Sequence, residues 1–413
     1  MTRLNRWTLT LLLLPTLASC KAGDPEASDS NTASDSSGSD DTAGTPTTGE
    51  PMDCEGISIP AIDESACMPL ADDYQPRTNP DNDGWPACIG DEFPYVQVDA
   101  KTPGSAARIE AYEQMGKLLW DNPNTPTVAD FTAARDQYVI AEGLASRVNR
   151  REDLHYPPIP EAEWQDGVDG DKQCTVSALA MKYVDRCVGP NKMAPIVEGA
   201  FDDAQLGDKA TIDPRINAAK IHATIEWFLY LSVYKEAETC GSEDPADCDS
   251  SWAYYTGLEG IESGKGFSKD VLANSKNAHE RIHDGIHATR CWRELTKTAE
   301  GEYPFFKMLP EEDVALFERG WEQLDQALHR GFAVVVRQHA EAYLDGICGT
   351  AQHYRPAAWA YLQIAGAALQ READERGDAT QAKVLADLWA KDSPTAQEVA
   401  DGIAALDAIF PCP

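Results

Sequence analysis

The sequence predicts an all-α protein, in which two packed helical bundles follow an irregular, disulfide-tied N-terminal cap. Apolar residues recur at helical spacing from about residue 103 to the C-terminus. Helix start and stop signals separate these stretches, as at Asp213-Pro214 and Ser393-Pro394. The sequence lacks turn signals of the kind that join two strands into a hairpin. Since the pattern contains about ten helices, more than one bundle accommodates, we expect two bundles.

Residues 1–19 have the pattern of an export signal. Two arginines precede an apolar run, Leu9–Leu14, which is too short for a permanent membrane span. The run leads to Leu17–Cys20, L-A-S-C, which resembles the lipobox of bacterial lipoproteins. The resemblance implies cleavage before Cys20 and a lipid on Cys20. It also implies the outer membrane, because Lys21 is not the Asp that retains such proteins in the inner membrane. An ordinary signal peptide with an incidental Cys is the alternative.

The next two segments are not expected to be helical. Residues 20–50 are predicted to form a disordered acidic tether, since 21–50 contain no Val, Ile, Leu, Phe, Tyr or Trp. Residues 51–102 are rich in Pro, Asp and Cys and are predicted to form the irregular cap. Within the cap, Asp81 and Asp83 match the start of a calcium-binding loop, although an Asp-Gly turn explains the same residues and is preferred.

The cysteines indicate disulfides. Besides Cys20 the chain has an even number of them, and an exported chain with paired cysteines is expected to oxidise them. Cys240 with Cys248 is the simplest pair, because the residues between them favour a turn. Cys174 with Cys187 is disfavoured if one helix holds both, because the helical residues between them would span about 20 Å.

The charge balance limits the partners. Acidic residues outnumber basic residues by 69 to 35, which gives a formal net charge of −34. Such a chain is a poor ligand for nucleic acid and for anionic lipid. It suits a soluble body held near a membrane by the lipid on Cys20, and no protein partner is indicated.

Residues 103–210 are assigned to the first bundle and residues 211–413 to the second. In the first, Thr127 and Asp130 predict a capped helix that runs to Tyr156.

In the second bundle, Asp213-Pro214 begins a helix that is apolar almost all round and should be central. Ser268 is expected to cap a histidine-rich helix, and Pro310 to open a long one.

The histidine-rich helix, Asn274 to Leu295, is the most distinctive stretch. His279, His283 and His287 are four residues apart and therefore lie on one side of a helix. A helical projection puts them along the apolar side. Imidazoles in that position need hydrogen bonds or a metal ion. Hydrogen-bonded core histidines are the preferred interpretation, and a metal site is the alternative.

A second stretch repeats part of this helix. Residues 221–227 read IHATIEW and residues 286–292 read IHATRCW, which indicates two related halves. The repeat puts His222 and Glu226 four residues apart on the central helix. In the metal hypothesis Glu226 joins the histidines of the other helix as a ligand to zinc or iron. A buried ion pair between Glu226 and Arg290 is the rival explanation.

His279-Glu280-Arg281-Ile282-His283 also fits the H-E-x-x-H motif of zinc peptidases, in which Glu280 would activate a bound water. The charge of Arg281 and the absence of a third ligand at the metzincin spacing count against this hypothesis. The E-x-x-H of di-iron bundles occurs within the same motif and again at Glu152–His155. His155, however, lies beside two prolines, which is a poor place for a core ligand.

An exported, lipid-anchored helical chain with two related halves resembles the imelysin-like proteins, which carry a G-x-H-x-x-E motif. Gly285-Ile286-His287 matches the first half of that motif, but Arg290 occupies the position of the Glu. In the other copy, Lys220-Ile221-His222 lacks the Gly, and Glu226 lies one position late. The resemblance implies two bundles and a surface protein for metal acquisition, often of iron. It makes peptidase activity doubtful.

Three functions therefore stay open. The leading hypothesis is an outer-membrane helical lipoprotein that binds a metal ion and is not an enzyme. The second is a zinc-dependent hydrolase that uses residues 279–283. The third is a structural or partner-binding surface lipoprotein without a site.

Overall fold

A computed structural model describes residues 54–77, 85–86, 91, 94–99, 103–140, 143–242, 244–304, 306–349 and 352–411. The signal, the lipidated Cys20, the tether and the calcium loop at Asp81 and Asp83 lie outside these residues. Their predictions therefore stay predictions.

The prediction of an all-α fold is confirmed, because the described residues form helices and turns and contain no β-strand. The α-helices in chain order are α1 (Gly104–Leu118), α2 (Val128–Val139), α3 (Leu144–Asn149), α4 (Ser177–Lys182), α5 (Ala194–Ala204), α6 (Pro214–Ser242), α7 (Asp247–Thr256), α8 (Phe267–Asn274), α9 (Lys276–Leu295), α10 (Glu311–Cys348), α11 (Arg355–Arg376), α12 (Ala379–Trp389) and α13 (Ala396–Ile409).

Helix α6 is central, as its apolar composition predicts. It begins at Pro214, where the Asp213 carboxylate accepts the amide of Arg215 at 2.8 Å. Every residue from 221 to 234 is buried. The helix packs against α5, α7 and α11 and also contacts α9 and α10. Polar side chains on this stretch of α6 are therefore enclosed by protein.

The histidine-rich helix is α9, and it packs along α10. Two glycines allow the close approach. A Cβ atom on Gly285 would lie 2.6 Å from the Leu324 Cα, and one on Gly331 would lie 2.6 Å from the Ile282 Cδ1. Gly285, which matches the imelysin-like motif, therefore has a packing role in this chain.

Two helix boundaries differ from the prediction. Helix α2 begins with the predicted capping box but ends at Val139, and Gly143 then adopts a left-handed conformation with φ +65°. The expectation of one helix to Tyr156 was therefore wrong. Ser268 lies inside α8, and the Ser275 hydroxyl caps α9 by accepting a helix amide at 3.0 Å. The prediction that Ser268 caps the histidine-rich helix was wrong, because a break at Ser275 divides the segment.

The structure contains disulfides between Cys54 and Cys348, Cys174 and Cys187, and Cys240 and Cys248. The Cys240–Cys248 pair is confirmed. The argument against Cys174–Cys187 was wrong, because a 3-10 helix, Gly170–Thr175, and the short α4 replace the single helix assumed. The Cα atoms of these two cysteines are only 5.3 Å apart.

Residues Glu50–Pro413 form one compact unit by their backbone contacts. Helix α5, assigned to the first bundle, packs against α6 of the second. The boundary near residue 210 and the cap as a separate unit stay predictions.

Candidate metal centre

His279 on α9 uses both ring nitrogens within the protein. The Tyr255 hydroxyl lies 2.9 Å from its Nδ1, and the Ile261 carbonyl oxygen lies 3.0 Å from its Nε2. Because a carbonyl only accepts, Nε2 donates and Nδ1 accepts from the tyrosine. Burial lowers the pKa of His279 to about 4, so the ring is neutral at pH 7. These contacts agree with the preferred interpretation of a hydrogen-bonded core histidine.

His283 and His287 are also buried and neutral. The ring of His283 packs edge-on against those of His279 and Tyr255. The ring of His287 packs edge-on against Tyr95. Burial lowers the pKa of His283 well below its usual value and that of His287 to about 3.

Glu280, the residue that would activate water in the hydrolase hypothesis, is held by cations. Its carboxylate lies 3.2 Å from the Arg77 Nη1 and 3.8 Å from the Lys276 Nζ. A carboxylate held by two cations is not free to accept a proton from a metal-bound water. Together with the occupied nitrogens of His279, these ion pairs argue against the zinc-hydrolase geometry at residues 279–283.

Arg290 is not the partner of Glu226. Its Nε donates to the Val96 carbonyl at 2.9 Å, and its Nη1 lies 3.3 Å from Glu294. The rival hypothesis of a Glu226–Arg290 ion pair was therefore wrong.

Among the described residues, two sets bring three His, Asp or Glu ligand atoms within 4.8 Å of one another. They are His222 with Glu226 and Asp270, and His155 with Asp325 and His329. The predicted candidates His222 and Glu226 come together, but Asp270 accompanies them instead of His279, His283 or His287.

In the first set, α6 supplies His222 and Glu226 one turn apart, and α8 supplies Asp270. The His222 Nε2 lies 3.5 Å from the Glu226 Oε2 and 2.9 Å from the Tyr112 hydroxyl. The indole of Trp120 stacks on the His222 ring with centroids 4.5 Å apart, which fixes the ring orientation. We name these three side chains, His222, Glu226 and Asp270, the α6–α8 cluster.

Glu226 is completely buried and only partly satisfied. Its Oε2 accepts the Tyr361 hydroxyl at 2.5 Å, whereas its Oε1 has no hydrogen-bond partner among the described residues. Buried carboxylate oxygens without a partner are rare and need an explanation, such as a bound ion.

The electrostatics of the α6–α8 cluster would favour a bound cation. Burial, with the nearby Asp270, raises the pKa of Glu226 well above its usual range. Burial raises the pKa of Asp270 to about 7. Burial also lowers the pKa of His222 well below its usual value, so the ring is neutral. The ammonium of Lys269 acts on both carboxyl groups, but its ion pair is with Asp121, 3.3 Å away. A neutral imidazole and two carboxyl groups with unfavourable ionisation are ligands that a divalent ion would stabilise.

A cleft of about 290 Å³ gives access to the α6–α8 cluster. His222 and Asp270 line it, together with Trp120, His339 and Tyr361. The ring of His339 stacks on Tyr361 with centroids 3.5 Å apart. Glu226 lies behind these residues, so an ion would enter past His222 and Asp270.

The second set is closed by its own partners. The His155 ring donates to Asp153 at 2.7 Å and to Asp325 at 3.1 Å. Burial alone would lower the pKa of His155, but these two carboxylates raise it. Because a carboxylate oxygen only accepts, both ring nitrogens carry a proton in this arrangement, which is the imidazolium form. Arg376 donates to the other Asp325 oxygen at 3.2 Å. We name this set, with Asp153 and Arg376, the His155 network.

His329 completes the His155 network as a neutral ring. Its Nε2 lies 2.8 Å from the Tyr230 hydroxyl, and its Nδ1 lies 2.9 Å from the Asp325 carbonyl oxygen. Burial lowers its pKa. Because both nitrogens have partners, this set has no vacant ligand atom on its histidines. Glu152 of the di-iron motif instead pairs with Arg186 at 2.7 Å.

Comparisons with protein-family models, with curated proteins and with solved structures found no match to this chain. The resemblance to imelysin-like proteins therefore depends on the residues quoted above and stays a prediction. Within the described residues, no helix is long and apolar enough to cross a membrane.

Proposed function

We propose that this chain is an exported, outer-membrane lipoprotein whose helical body binds one divalent metal ion, zinc or iron, at His222, Glu226 and Asp270. The orphaned, fully buried Oε1 of Glu226 carries the proposal. One imidazole and two carboxylates form a donor set that suits zinc and ferrous iron. The function is binding rather than hydrolysis, since Glu280 is held by Arg77.

Binding would release protons. The raised pKa values of Glu226 and Asp270 mean that an entering ion displaces protons from these groups. His222 is already neutral, so it loses no proton on binding, but its Nε2 would bind the ion in place of the Tyr112 hydroxyl, which lies 2.9 Å away. The helical repeat predicted from the sequence supports the site in part, because its α6 copy supplies two of the three ligands.

The test compares the same Glu-to-Gln substitution at two positions, Glu226 and Glu280, by isothermal titration calorimetry. Chelator-treated protein is titrated with Zn²⁺ and, without oxygen, with Fe²⁺. Glu226→Gln replaces a buried, protonated carboxyl by a group of nearly the same shape, so the fold should persist. We expect wild type to bind about one ion. Glu226→Gln should bind it about 100-fold more weakly or worse, because losing a ligand reduces metal affinity more than losing a group that only orients a ligand.

Glu280→Gln is the matched control, and it should bind as wild type does. Equal binding by wild type and Glu226→Gln would contradict the site. Loss of binding in Glu280→Gln alone would indicate that the ion binds at residues 279–283 and would favour the hydrolase hypothesis.

The lipid anchor is tested separately. Membrane fractionation of cells that express wild type or Cys20→Ser should find wild type with the outer membrane and the variant released. Intact-mass measurement should show acyl groups on wild type alone. An unmodified, soluble wild type would contradict anchoring and would leave the metal proposal standing.

A further inference from the structure

A second cleft, of about 620 Å³, lies far along α6 from His222 and is lined by arginines. Helix α3 supplies Arg147, and the turn after it supplies Arg150 and Arg151. Lys235 and Glu236 of α6 also line it. We name this space the arginine cleft.

The arginine cleft has the opposite charge sign to the rest of the chain. Its lining has five basic residues (Arg147, Arg150, Arg151, Arg186 and Lys235) and four acidic residues (Glu152, Asp171, Glu236 and Glu238). The difference is +1, whereas the whole chain carries −34. A positive cleft on so acidic a protein concentrates anions locally.

Some of these basic residues are already paired. Arg186 lies 2.7 Å from Glu152, and Lys235 lies 3.5 Å from Glu236.

Arg150 reaches Asp171 only at 4.0 Å. For Arg147 and Arg151, no ion pair within 4.0 Å involves the described residues. The guanidinium of Arg151 instead lies over the Phe228 ring at 4.9 Å. Two cations of the cleft therefore form no close ion pair with the described residues.

The cleft also has hydrogen-bond donors without acceptors. Arg151 is buried, with 6% of its surface exposed, and its Nε has no partner among the described residues. The Nε1 of Trp321, which also lines the cleft, has no hydrogen-bond partner among the described residues either. Arginine and tryptophan side chains only donate, so an acceptor is the missing complement.

We propose that the arginine cleft binds a small organic anion: a carboxylate or phosphate oxyanion carried on an apolar or aromatic body. Guanidinium groups bind both oxyanions through paired hydrogen bonds. The apolar side chains of Leu154, Pro158 and Trp164 line the same space and suit the body of the ligand. A volume of about 620 Å³ is in the range of small-molecule sites. This site is separate from the α6–α8 cluster, and neither proposal depends on the other.

The experiment uses the full chain and four small probes, measured by ligand-observed NMR and calorimetry. Phenyl phosphate and benzoate carry the two oxyanions on the same ring. Benzamide is the neutral ring, and inorganic phosphate is the anion without a ring. We expect at least one of the first two to bind more tightly than both benzamide and inorganic phosphate. Which of them binds identifies the oxyanion.

Arg147→Gln is the main variant, because Arg147 is only partly buried and its loss should not disturb the fold. It should weaken binding of the preferred probe by about tenfold or more, as expected for a lost charged hydrogen bond. Arg151→Gln should do the same if circular dichroism shows native helix content. Arg135→Gln is the control, since Arg135 pairs with Asp202 at 2.7 Å and does not line the cleft.

Three results would overturn the proposal. They are benzamide binding as tightly as the anions, no binding by either aromatic anion, and unchanged affinity in Arg147→Gln.

Discussion

The α6–α8 cluster and the His155 network contain similar groups, but their charges are balanced differently. In the His155 network, an imidazolium and Arg376 neutralise Asp153 and Asp325. In the α6–α8 cluster, two carboxyl groups meet a neutral imidazole, and one carboxylate oxygen has no partner in the described chain. The comparison teaches that ligand types and distances alone do not identify a metal site. The unbalanced charge of the α6–α8 cluster is what supports the proposed metal site.

The most direct test of this difference between the clusters is an Asp-to-Asn substitution in each of them. Asp325→Asn removes the carboxylate that holds His155 and Arg376, and it should lower the free energy of unfolding by about 3 kcal/mol. This is the lower end for a broken buried pair, because the Asp325 side chain is 21% exposed. Asp270→Asn should change stability by less than about 1 kcal/mol in metal-free buffer, since burial already disfavours its charge.

Urea unfolding at pH 7 with chelator present measures both variants. Equal losses in Asp325→Asn and Asp270→Asn would contradict the distinction between the two clusters.

The pH dependence of stability tests the charge assigned to His155. Its folded-state pKa is raised above 6.5, so its contribution to stability is complete below about pH 6.5 and is lost as the pH rises through the folded-state pKa. The pKa values of Asp153 and Asp325 are lowered despite burial, so their contributions are lost as the pH falls below about 3.8. The ion pairs of His155 with Asp153 and Asp325 should therefore stabilise the fold most between about pH 4 and 6.5.

The measurement is the difference in unfolding free energy between wild type and His155→Gln from pH 5 to 9. Taking the difference removes the effects of histidines that do not interact with His155; His329, which shares Asp325 with it, still contributes. The difference should shrink as the pH rises. A difference that is constant or grows with pH would mean that His155 is neutral in the folded protein.

Two tyrosine hydroxyls provide a further comparison, with an effect on stability smaller than that of Asp325→Asn. Tyr361→Phe removes the hydrogen bond to Glu226, and Tyr230→Phe removes the one to His329. Each should cost about 1 kcal/mol of stability. Only Tyr361→Phe should change metal affinity, and it should tighten binding a few-fold, because the hydroxyl competes with the ion for Glu226. Weaker binding in Tyr361→Phe would instead assign the hydroxyl a role in orienting the ligand.

Local signals in the sequence predicted much of the fold. The capping box at Thr127 and Asp130 and the start at Asp213-Pro214 both occur where expected, because caps depend on a few adjacent residues. The break at Gly143 was missed, since an isolated glycine in a periodic stretch does not reveal its φ angle. The helix start at Ser275 was missed because Ser268 offered an equal signal seven residues earlier.

The candidate site was only half predictable. His222 and Glu226 lie one turn apart on one helix, so their spacing brings them together before any tertiary contact is known. Asp270 comes from α8, and no pattern in the sequence indicates that α8 meets α6 at this turn. The partners of His279 could not be predicted either, because Tyr255 and Ile261 belong to other segments and only the tertiary fold brings them to α9. Asp325 and His329, also four residues apart, could have been found by the spacing that identified Glu226.

Anomalous diffraction at the zinc absorption edge, from crystals grown with a zinc salt, tests the central claim most directly. A strong peak should lie within about 2.2 Å of a His222 ring nitrogen and of carboxylate oxygens of Glu226 and Asp270. The His155 network should show no peak. A peak at His279 and His283, or none at the α6–α8 cluster in fully zinc-soaked crystals, would contradict the account.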